Sequence, residues 1–383
     1  MKSSNLLKTS LLALLVLTSC NGKDNNQTTQ GGLTIIDIDN PQTTDNPPVE
    51  QLVDTAFVVQ LKGDDLLIKS INGLRKCGDR LFVEDSPYSS TEPLKIFDSN
   101  GNYISSIHKG GGPGEVDNYS GCFFDEVRQE LFVLDYNRLS IFDKNGVFKE
   151  QTDYKFMFDE MVRLADEYVL YVSTYHMDST KTQVIVTDTA FNVLHRFMPY
   201  EGEPLKFEIK SKLNVLTLTG NHVTVENDTV YVYENSRFEP RYYFNYANRF
   251  DPRKIAVNSS IIDMGSNNGY LQAFYENSTS VFLMLNSFDA QDVKVTVYDI
   301  KSGKYYVYPY KTDRQGDDVK VNCPFFQRAK WVCDDYFVAP LDDQVIEQKS
   351  EIMPFISEED KKIVEDFNSD DNPILVFYKF KEF

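Results

Sequence analysis

One pattern that occurs twice in neighbouring segments constrains the fold of this chain more than any other feature. The segment Arg80–Gly110 consists of three strand-like stretches separated by turn residues, and Glu130–Tyr154 repeats them in the same order. LFVEDS begins 50 residues before LFVLDY, and KIFDSNG begins 45 residues before SIFDKNG. Self-similarity at a nearly fixed spacing is typical of proteins built from repeated supersecondary units.

The dipeptide Asn-Gly precedes the last strand of each copy, at Asn100–Gly101 and Asn145–Gly146. Asn-Gly is the preferred pair in two-residue type I′ turns, because both central residues of that turn have positive φ. The sequence therefore predicts a tight type I′ hairpin at each of these positions.

Weaker copies of the unit continue to the C-terminus and predict an all-β fold, a six-bladed β-propeller over residues 51–383. About six four-stranded antiparallel units at a spacing of roughly 45–55 residues are typical of propeller blades. A two-domain all-β arrangement is the structural alternative. The weaker copies start with strand-like stretches at Tyr168–Tyr175, Thr229–Asn235, Ser280–Ser287 and Ala329–Asp335.

The last unit has only three strands at the C-terminus, and Thr55–Leu61 is the candidate for the fourth. An N-terminal strand that completes the last blade closes the ring and leaves no exposed sheet edges at the junction. This model places Val58 beside the sheet that contains Val376.

One insertion interrupts the strand pattern of the last unit. Residues 357–367 are predicted to be helical, with Ser357 as N-cap, Asp360 at the capping-box position and a short apolar stripe at Ile363, Val364 and Phe367. The helix is expected to cover a sheet edge or rim, and a partner-binding helix is the alternative.

The glycine-rich stretch between the two clear repeats is interpreted as a blade linker. A phosphate-binding loop would be followed by a helix and usually by Lys and Ser or Thr, whereas VDNYSGCFFDEV is strand-like and acidic. Glycine permits the turns needed to pass from an outer strand to the next inner strand. The predicted linker residues are Gly111, Gly112, Pro113, Gly114 and Glu115.

The N-terminus has the pattern of an export signal. Lys2 and Lys8 flank a short apolar run, and the following LTSC resembles a bacterial lipobox, in which cleavage precedes the cysteine and Cys20 is acylated. We therefore expect a signal peptide over residues 1–19, a lipid anchor on Cys20 and a flexible polar tether over residues 20–50. An ordinary secretory signal with a chance cysteine is the alternative.

The charge balance excludes one class of partner. The chain has 58 acidic and 39 basic residues, a net charge of −19. Nucleic-acid phosphates require clustered Lys and Arg, so no nucleic-acid partner is expected. A strongly acidic surface favours a soluble monomer.

The cysteines and histidines do not form a metal-binding pattern. Cys77, Cys122, Cys323 and Cys333 include no C-x-x-C pair, and the four histidines are scattered singly. Disulfides are allowed in an exported protein, but spacing alone does not fix their pairing. We expect neither a metal nor a cofactor.

The stretch Gly110–Gln151 resembles an NHL-type propeller repeat, whose blades are joined by a similar Gly-Pro-Gly turn. Together with the lipobox it resembles the six-bladed β-propeller lipoproteins of Bacteroidota. The resemblance implies a propeller exported to the outer membrane, on the cell surface or the periplasmic face; most members lack an assigned activity. The phylum's O-glycosylation motif, Asp followed by Ser or Thr and a small or aliphatic residue, is similar to the sequences at Thr55, Ser179, Thr189 and Thr229.

Propellers usually bind ligands at the mouth of the central channel, near the ends of the inner strands. The candidate ligand-binding residues at such positions are Arg75, Lys76, Tyr119, Arg163, Arg328 and Lys330. The structural alternative for each is a solvated loop or core position. No catalytic residue is predicted, because no nucleophile elbow or HExxH motif is present.

Two hypotheses for function follow. The first is a binding module, accessory to the uptake of glycans or peptides by an outer-membrane transporter. The second is a propeller hydrolase or lyase with a metal on the axis, which the scarcity of histidines disfavours.

Overall fold

The computed structural model describes residues 32–63, 66–68, 70–85, 91–135, 138–153, 157–172, 179–199, 222–225, 229–247, 269–287, 293–310, 312–315, 318–321, 323–368 and 370–383. Over these residues the strands form six four-stranded sheets and one two-stranded hairpin. The predicted signal peptide, residues 1–19, and Cys20 lie outside the described residues.

The six four-stranded sheets are the blades of a β-propeller. Two strands precede the first complete blade, β1 (Thr34–Asp37) and β2 (Val53–Gln60). Blade one contains β3 (Ile71–Cys77), β4 (Arg80–Asp85), β5 (Leu94–Asp98) and β6 (Tyr103–Ile107). Blade two contains β7 (Tyr119–Asp125), β8 (Glu130–Asp135), β9 (Arg138–Asp143) and β10 (Phe148–Asp153). Blade three contains β11 (Glu160–Leu164), β12 (Glu167–Tyr171), β13 (Thr182–Asp188) and β14 (Val193–Pro199).

The remaining blades include the two N-terminal strands. Blade four contains β15 (His222–Val225), β16 (Thr229–Glu234) and β17 (Arg237–Asn245), followed by β1. Blade five contains β18 (Gly269–Glu276), β19 (Ser280–Ser287), β20 (Val293–Asp299) and β21 (Tyr305–Tyr310). The hairpin β22 (Thr312–Gln315) and β23 (Asp318–Val321) leads to blade six, which contains β24 (Trp331–Cys333), β25 (Tyr336–Leu341) and β26 (Ile374–Phe380), followed by β2.

The first strands of neighbouring blades line the axis of the ring. Strand β3 contacts β24, β7 contacts β11, and β18 contacts β24. The sheets bury both faces, and the described residues form six apolar clusters, one at each interface between consecutive blades. The cluster that joins blade six to blade one includes Phe377 and Val338 from the former and Leu81 and Val83 from the latter. The ring is therefore closed.

Closure depends on β2, as the sequence predicts. Strand β2 pairs antiparallel with β26, and Val58 lies directly opposite Val376. Val58 is 7% exposed and Val376 is fully buried, and both belong to the cluster between blades five and six. The N- and C-terminal parts of the chain thus share one sheet.

Residues that precede the predicted propeller boundary at residue 51 already belong to a blade. Strand β1 runs parallel to β17 and supplies the outer strand of blade four, so this blade is not wholly antiparallel. Ile36 and Ile38 are 1% and 2% exposed, and this burial is the physical reason that a polar segment is held in place.

Residues 34–52 form a strap across the outer edge of blade five, from blade four to blade six. The Tyr305 hydroxyl donates to the Asp37 carbonyl at 2.9 Å, and the Tyr308 hydroxyl donates to the Pro47 carbonyl at 2.9 Å. The strap ends in a 3₁₀ turn, Val49–Leu52, whose apolar side chains join the core.

The predicted insertion lies between the second and third strands of blade six. It contains 3₁₀ turns at Asp343–Gln348 and Met353–Phe355 and the helices α1 (Lys349–Ile352) and α2 (Glu358–Asp366). Ser357 is the N-cap of α2, and its hydroxyl accepts a hydrogen bond from the Asp360 backbone N–H at 3.1 Å. Val364 and Phe367 are buried against blades five and six, so the insertion covers the core.

The prediction of type I′ turns is wrong. Gly101 has φ +82°, whereas Asn100 is not among the residues with positive φ. The Gly101 N–H donates to the Asp98 carbonyl at 3.0 Å, while the Asp98 carboxylate accepts the Asn100 and Asn102 N–H groups. The aspartate therefore selects a three-residue loop with glycine in the left-handed position, and Asp143 and Gly146 repeat it.

We expect Gly101→Ala to lower the free energy of unfolding by about 3 kcal/mol. The left-handed φ costs about 1–2 kcal/mol for a residue with a side chain, and the added Cβ would lie 2.1 Å from the Gln60 carbonyl oxygen of blade six. The control is Gly78→Ala, which has φ +55° but no atom within 4 Å of the added Cβ. Denaturant unfolding should show a loss of only about 1 kcal/mol for the control; equal losses would contradict the role of the contact.

Candidate functional site

The structure brings together two of the six predicted ligand-binding residues, Arg75 and Tyr119. Arg75 lies on β3 and Tyr119 begins β7, the axial strands of blades one and two. Glu84 of β4 and Cys122 of β7 complete the group, which we call the axial cluster.

Glu84 is the central acceptor of the axial cluster. Its Oε1 lies 3.8 Å from Arg75 Nε and 3.7 Å from Cys122 Sγ, which donates to it. The side chains of Arg75 and Glu84 are 35% and 17% exposed, so the cluster is partly open to solvent. Among the described residues the buried Arg75 Nε makes no hydrogen bond, and the nearby Tyr119 hydroxyl interacts with Cys122 and Glu84.

The backbone of β3 makes room for this arrangement. Gly73 lies opposite Glu84 in the β3–β4 ladder, and a Cβ on Gly73 would lie 2.5 Å from Glu84 Oε1. The absence of a side chain at Gly73 therefore lets the carboxylate extend along the sheet surface toward Arg75. Bulges at Asn72 and Ser120, in equivalent places on β3 and β7, turn the starts of both strands.

The two proton-bearing groups of the cluster keep their protons at neutral pH. Burial raises the pKa of the Cys122 thiol to about 12, and the Glu84 carboxylate adds to this effect. Burial also raises the pKa of Tyr119 well above its usual value, and the neighbouring Cys122 and Glu84 act in the same direction. Neither group is an activated nucleophile, because a thiolate requires a lowered pKa.

Glu160, which sequence reasoning missed, acts electrostatically on this cluster and also on a second missed residue, Tyr275. Glu160, at the start of β11 in blade three, helps to raise the pKa of Arg75, for which burial acts in the opposite direction. Glu160 also adds to the effect of burial in raising the pKa of Tyr275 on β18 of blade five. Both residues begin or lie within axial strands, but a Glu next to a turn and a Tyr among many give no distinguishing sequence signal.

The axial cluster combines hydrogen-bond donors with acceptors and aromatic rings. The Arg75 guanidinium and the Tyr119 hydroxyl can donate, and the carboxylates of Glu84 and Glu160 can accept. Such a combination suits binding of a polar ligand better than nucleophilic chemistry. Among the described residues no group of three or more His, Cys, Asp or Glu is placed to hold a metal ion.

Lys76 and Arg163 lie elsewhere, in ion pairs that join neighbouring blades. Lys76 Nζ pairs with Asp334 of blade six. Arg163 Nη1 lies 2.7 Å from Asp125 Oδ2, and Asp125 is fully buried between blades two and three. Both basic side chains are thus structural links near the ends of axial strands.

Arg328 and Lys330 precede β24 in blade six. Arg328 is 5% exposed and lies beneath the insertion, where it donates to Gln348 Oε1 at 3.4 Å. Lys330 is exposed, and its backbone N–H donates to the Val338 carbonyl at 2.9 Å.

The predicted linker residues lie between β6, the outer strand of blade one, and β7, the axial strand of blade two. Glu115 Oε2 accepts the Gly112 N–H at 2.8 Å and so closes the turn. Gly114 has φ +80°, and a Cβ there would lie 3.0 Å from Phe148 Cβ. The other linker residues are Gly111 and Pro113.

The four predicted glycosylation positions differ in exposure. Thr55 on β2 and Ser179 before β13 are exposed, whereas Thr189 and Thr229 are partly buried. The four cysteines Cys77, Cys122, Cys323 and Cys333 are buried and free, so they form none of the disulfides that the sequence left open. In the part of the chain that the structure describes, no helix is long and apolar enough to cross a membrane.

The fold and site define a six-bladed β-propeller with a polar cluster on its axis. Residues 33–379 match the family described as "Domain of unknown function (DUF4934)". The chain therefore belongs to the DUF4934 family.

This chain is similar to the crystal structure of a protein from Bacteroides fragilis NCTC 9343 that is predicted to be exported. The TM-score is 0.68 and the sequence identity is 19%, and the match covers 91% of this chain and 100% of that one. This similarity shows a shared fold. A Bacteroides caccae protein of unknown function has a TM-score of 0.38 with 10% identity and coverage of 65% and 91%. BamB from Moraxella catarrhalis has a TM-score of 0.38 with 8% identity and coverage of 84% and 100%. No curated protein matches the sequence.

Proposed function

We propose that this propeller is a binding module that recognises a saccharide at the axial cluster. The observation that carries the proposal is Arg75 Nε, a buried donor that makes no hydrogen bond among the described residues and lies 3.8 Å from Glu84 Oε1 in a partly exposed ion pair. A buried donor that lacks a partner costs free energy, and a ligand that accepts its hydrogen bond recovers that cost.

The composition of the cluster favours a saccharide over a simple anion. Sugar hydroxyls both donate and accept, and the cluster offers donors on Arg75 and Tyr119 and acceptors on Glu84 and Glu160. The two carboxylates would repel an anion but not a neutral sugar.

Arg75→Met tests this function. We expect wild-type protein to be stabilised in a thermal-shift screen of neutral mono- and disaccharides, because a ligand that binds only the folded state raises the melting temperature. For the saccharide that gives the largest shift, calorimetry should show affinity at least about tenfold weaker for Arg75→Met, which loses a charged hydrogen bond.

The matched control is Arg196→Met, which makes the same substitution at an exposed position on the outer strand of blade three. It should bind like the wild type. The proposal fails if no neutral saccharide stabilises the wild type, or if Arg75→Met and Arg196→Met bind equally well.

The location proposed for this module is the outer membrane, to which it is held by acyl chains on Cys20. The lipobox-like LTSC supports this location, and the similarly folded Bacteroides fragilis protein is itself predicted to be exported. There the propeller would present its ligand to an outer-membrane transporter, and exposed Thr55 and Ser179 would be available for O-glycosylation.

Cys20→Ala tests the anchor. We expect the wild type to incorporate an alkyne-tagged palmitate and to sediment with membranes, and the variant to lose the label and the membrane association, because the thiol that carries a chain is gone. Cys77→Ala, which removes a buried and free thiol, should behave like the wild type. Membrane association of unlabelled Cys20→Ala would contradict the anchor.

A further inference from the structure

A second unsatisfied cation lies away from the axial cluster. Arg328 follows the 3₁₀ turn Phe325–Gln327 and is covered by the insertion of blade six. Arg328 and Gln327 are 5% and 4% exposed. Each has a buried side-chain atom without a hydrogen-bond partner, Arg328 Nε and Gln327 Oε1.

Arg328 has no ion-pair partner among the described residues. Its side-chain hydrogen bonds are to neutral groups: Nη1 donates to Gln348 Oε1 at a long 3.4 Å, and the guanidinium also interacts with the Tyr310 hydroxyl. The other basic side chains discussed above show the contrast, since Arg163 and Lys76 each pair with a carboxylate. A buried charge without an ion pair is destabilising, so a buried guanidinium that makes no ion pair favours the binding of a counterion.

The groups around Arg328 are polar but only one of them is acidic. The Tyr310 hydroxyl and the Cys323 thiol interact with each other, and Arg328 acts electrostatically on both of them. Glu351, on α1, has its Oε2 2.6 Å from the Phe325 backbone nitrogen, whose N–H it accepts. Burial raises the pKa of Glu351, while the Phe325 N–H and, less strongly, Arg328 act to lower it. Glu351 makes no ion pair with Arg328, so the guanidinium keeps its capacity to bind a second carboxylate.

We propose that Arg328 binds the carboxylate group of a small ligand beneath the insertion of blade six. The planar guanidinium matches a carboxylate, which it can bind through two parallel hydrogen bonds. The unpartnered Gln327 Oε1 next to it in sequence would accept a hydrogen bond from a donor on the same ligand. This site is separate from the axial cluster, and its existence does not depend on saccharide binding there.

The single tryptophan of the chain provides the readout. Trp331 is three residues from Arg328, at the start of β24, and is partly buried. We would titrate the full-length protein with sodium acetate against sodium chloride at equal ionic strength and follow Trp331 fluorescence. Acetate should produce a saturable change that chloride does not produce.

Three variants then test whether the fluorescence change comes from acetate binding at Arg328. Arg328→Met should weaken acetate binding at least about tenfold, because the charged hydrogen bonds are lost. Glu351→Gln should tighten it about threefold or more, because a neighbouring negative charge is removed. Arg75→Met should leave acetate binding unchanged, which separates this site from the axial one.

The Glu351→Gln result keeps the test decisive if Arg328→Met does not fold. A chloride-like response to acetate in the wild type would overturn the proposal, as would unchanged acetate affinity in Glu351→Gln. Loss of acetate binding in Arg75→Met would assign the signal to the axial cluster and would also overturn the proposal.

Discussion

Val58→Asp should destabilise the protein by about 4 kcal/mol or more and leave much of the chain unfolded at room temperature. The substitution places a carboxylate at a position that is 7% exposed and opposite fully buried Val376. Burying a charge without a partner is among the few changes that reach this magnitude. Circular dichroism during denaturant unfolding measures the loss.

The effect should exceed that of an ordinary core substitution because Val58 lies in the closing strand. Strand β2 is the outer strand of blade six, and the cluster to which Val58 belongs also contains residues of blade five and of the insertion. The control is Thr55→Asp, an exposed position on the same strand, where we expect a change within about 0.5 kcal/mol. Similar unfolding curves for the two variants would show that β2 does not close the ring.

Much of the fold could be predicted because two consecutive blades are close copies. The repeat around Leu81 and Leu131 gives the strand order, and the three strands left at the C-terminus indicate closure by an N-terminal strand. Strand β1 was missed for a physical reason: TIID is short and lies in a polar segment, and its burial comes from pairing with β17, about 200 residues later in the chain.

The candidate site could be predicted only in part. Arg75 and Tyr119 were found because they lie at or near the ends of axial strands. Glu84 was missed because it lies on the second strand, and only the missing side chain of Gly73 lets it reach the cluster. Lys76 follows Arg75 on the same strand, yet its partner Asp334 belongs to blade six, a proximity that sequence spacing does not reveal.

The inter-blade link at Asp125 provides the second large prediction. Asp125→Ala should lower the free energy of unfolding by about 3 kcal/mol, because Arg163, whose side chain is 12% exposed, loses its buried partner and keeps only the fully exposed Asp166 at 3.6 Å. Asp125 is fully buried and also accepts the hydroxyl of Tyr168 at 2.7 Å. The control Asp79→Ala removes an aspartate that is 58% exposed in its ion pair with Lys144, and we expect a far smaller loss, because exposed ion pairs contribute little to stability.

A double-mutant cycle distinguishes a structural link from a ligand-binding role for Arg163. The double variant Asp125→Ala/Arg163→Met should lose clearly less free energy of unfolding than the sum of the losses in the two single variants. The reason is that each single substitution leaves the other charged group without its partner. Additive losses would contradict the link.

The Asp125 link should also weaken in acid. Burial alone would raise the pKa of Asp125, but hydrogen bonds from the Arg128 backbone, the Tyr168 hydroxyl and the Arg163 guanidinium hold it below the ordinary value of 3.8. A carboxylate with a lowered pKa in the folded state stabilises the fold above the pKa of the unfolded state, and this stabilisation is lost as the pH falls through the folded-state pKa. The difference in stability between wild type and Asp125→Ala should therefore be constant near neutral pH and shrink below pH 3.8. A difference that stays constant in acid would mean that the carboxylate charge contributes nothing to the contact between blades two and three.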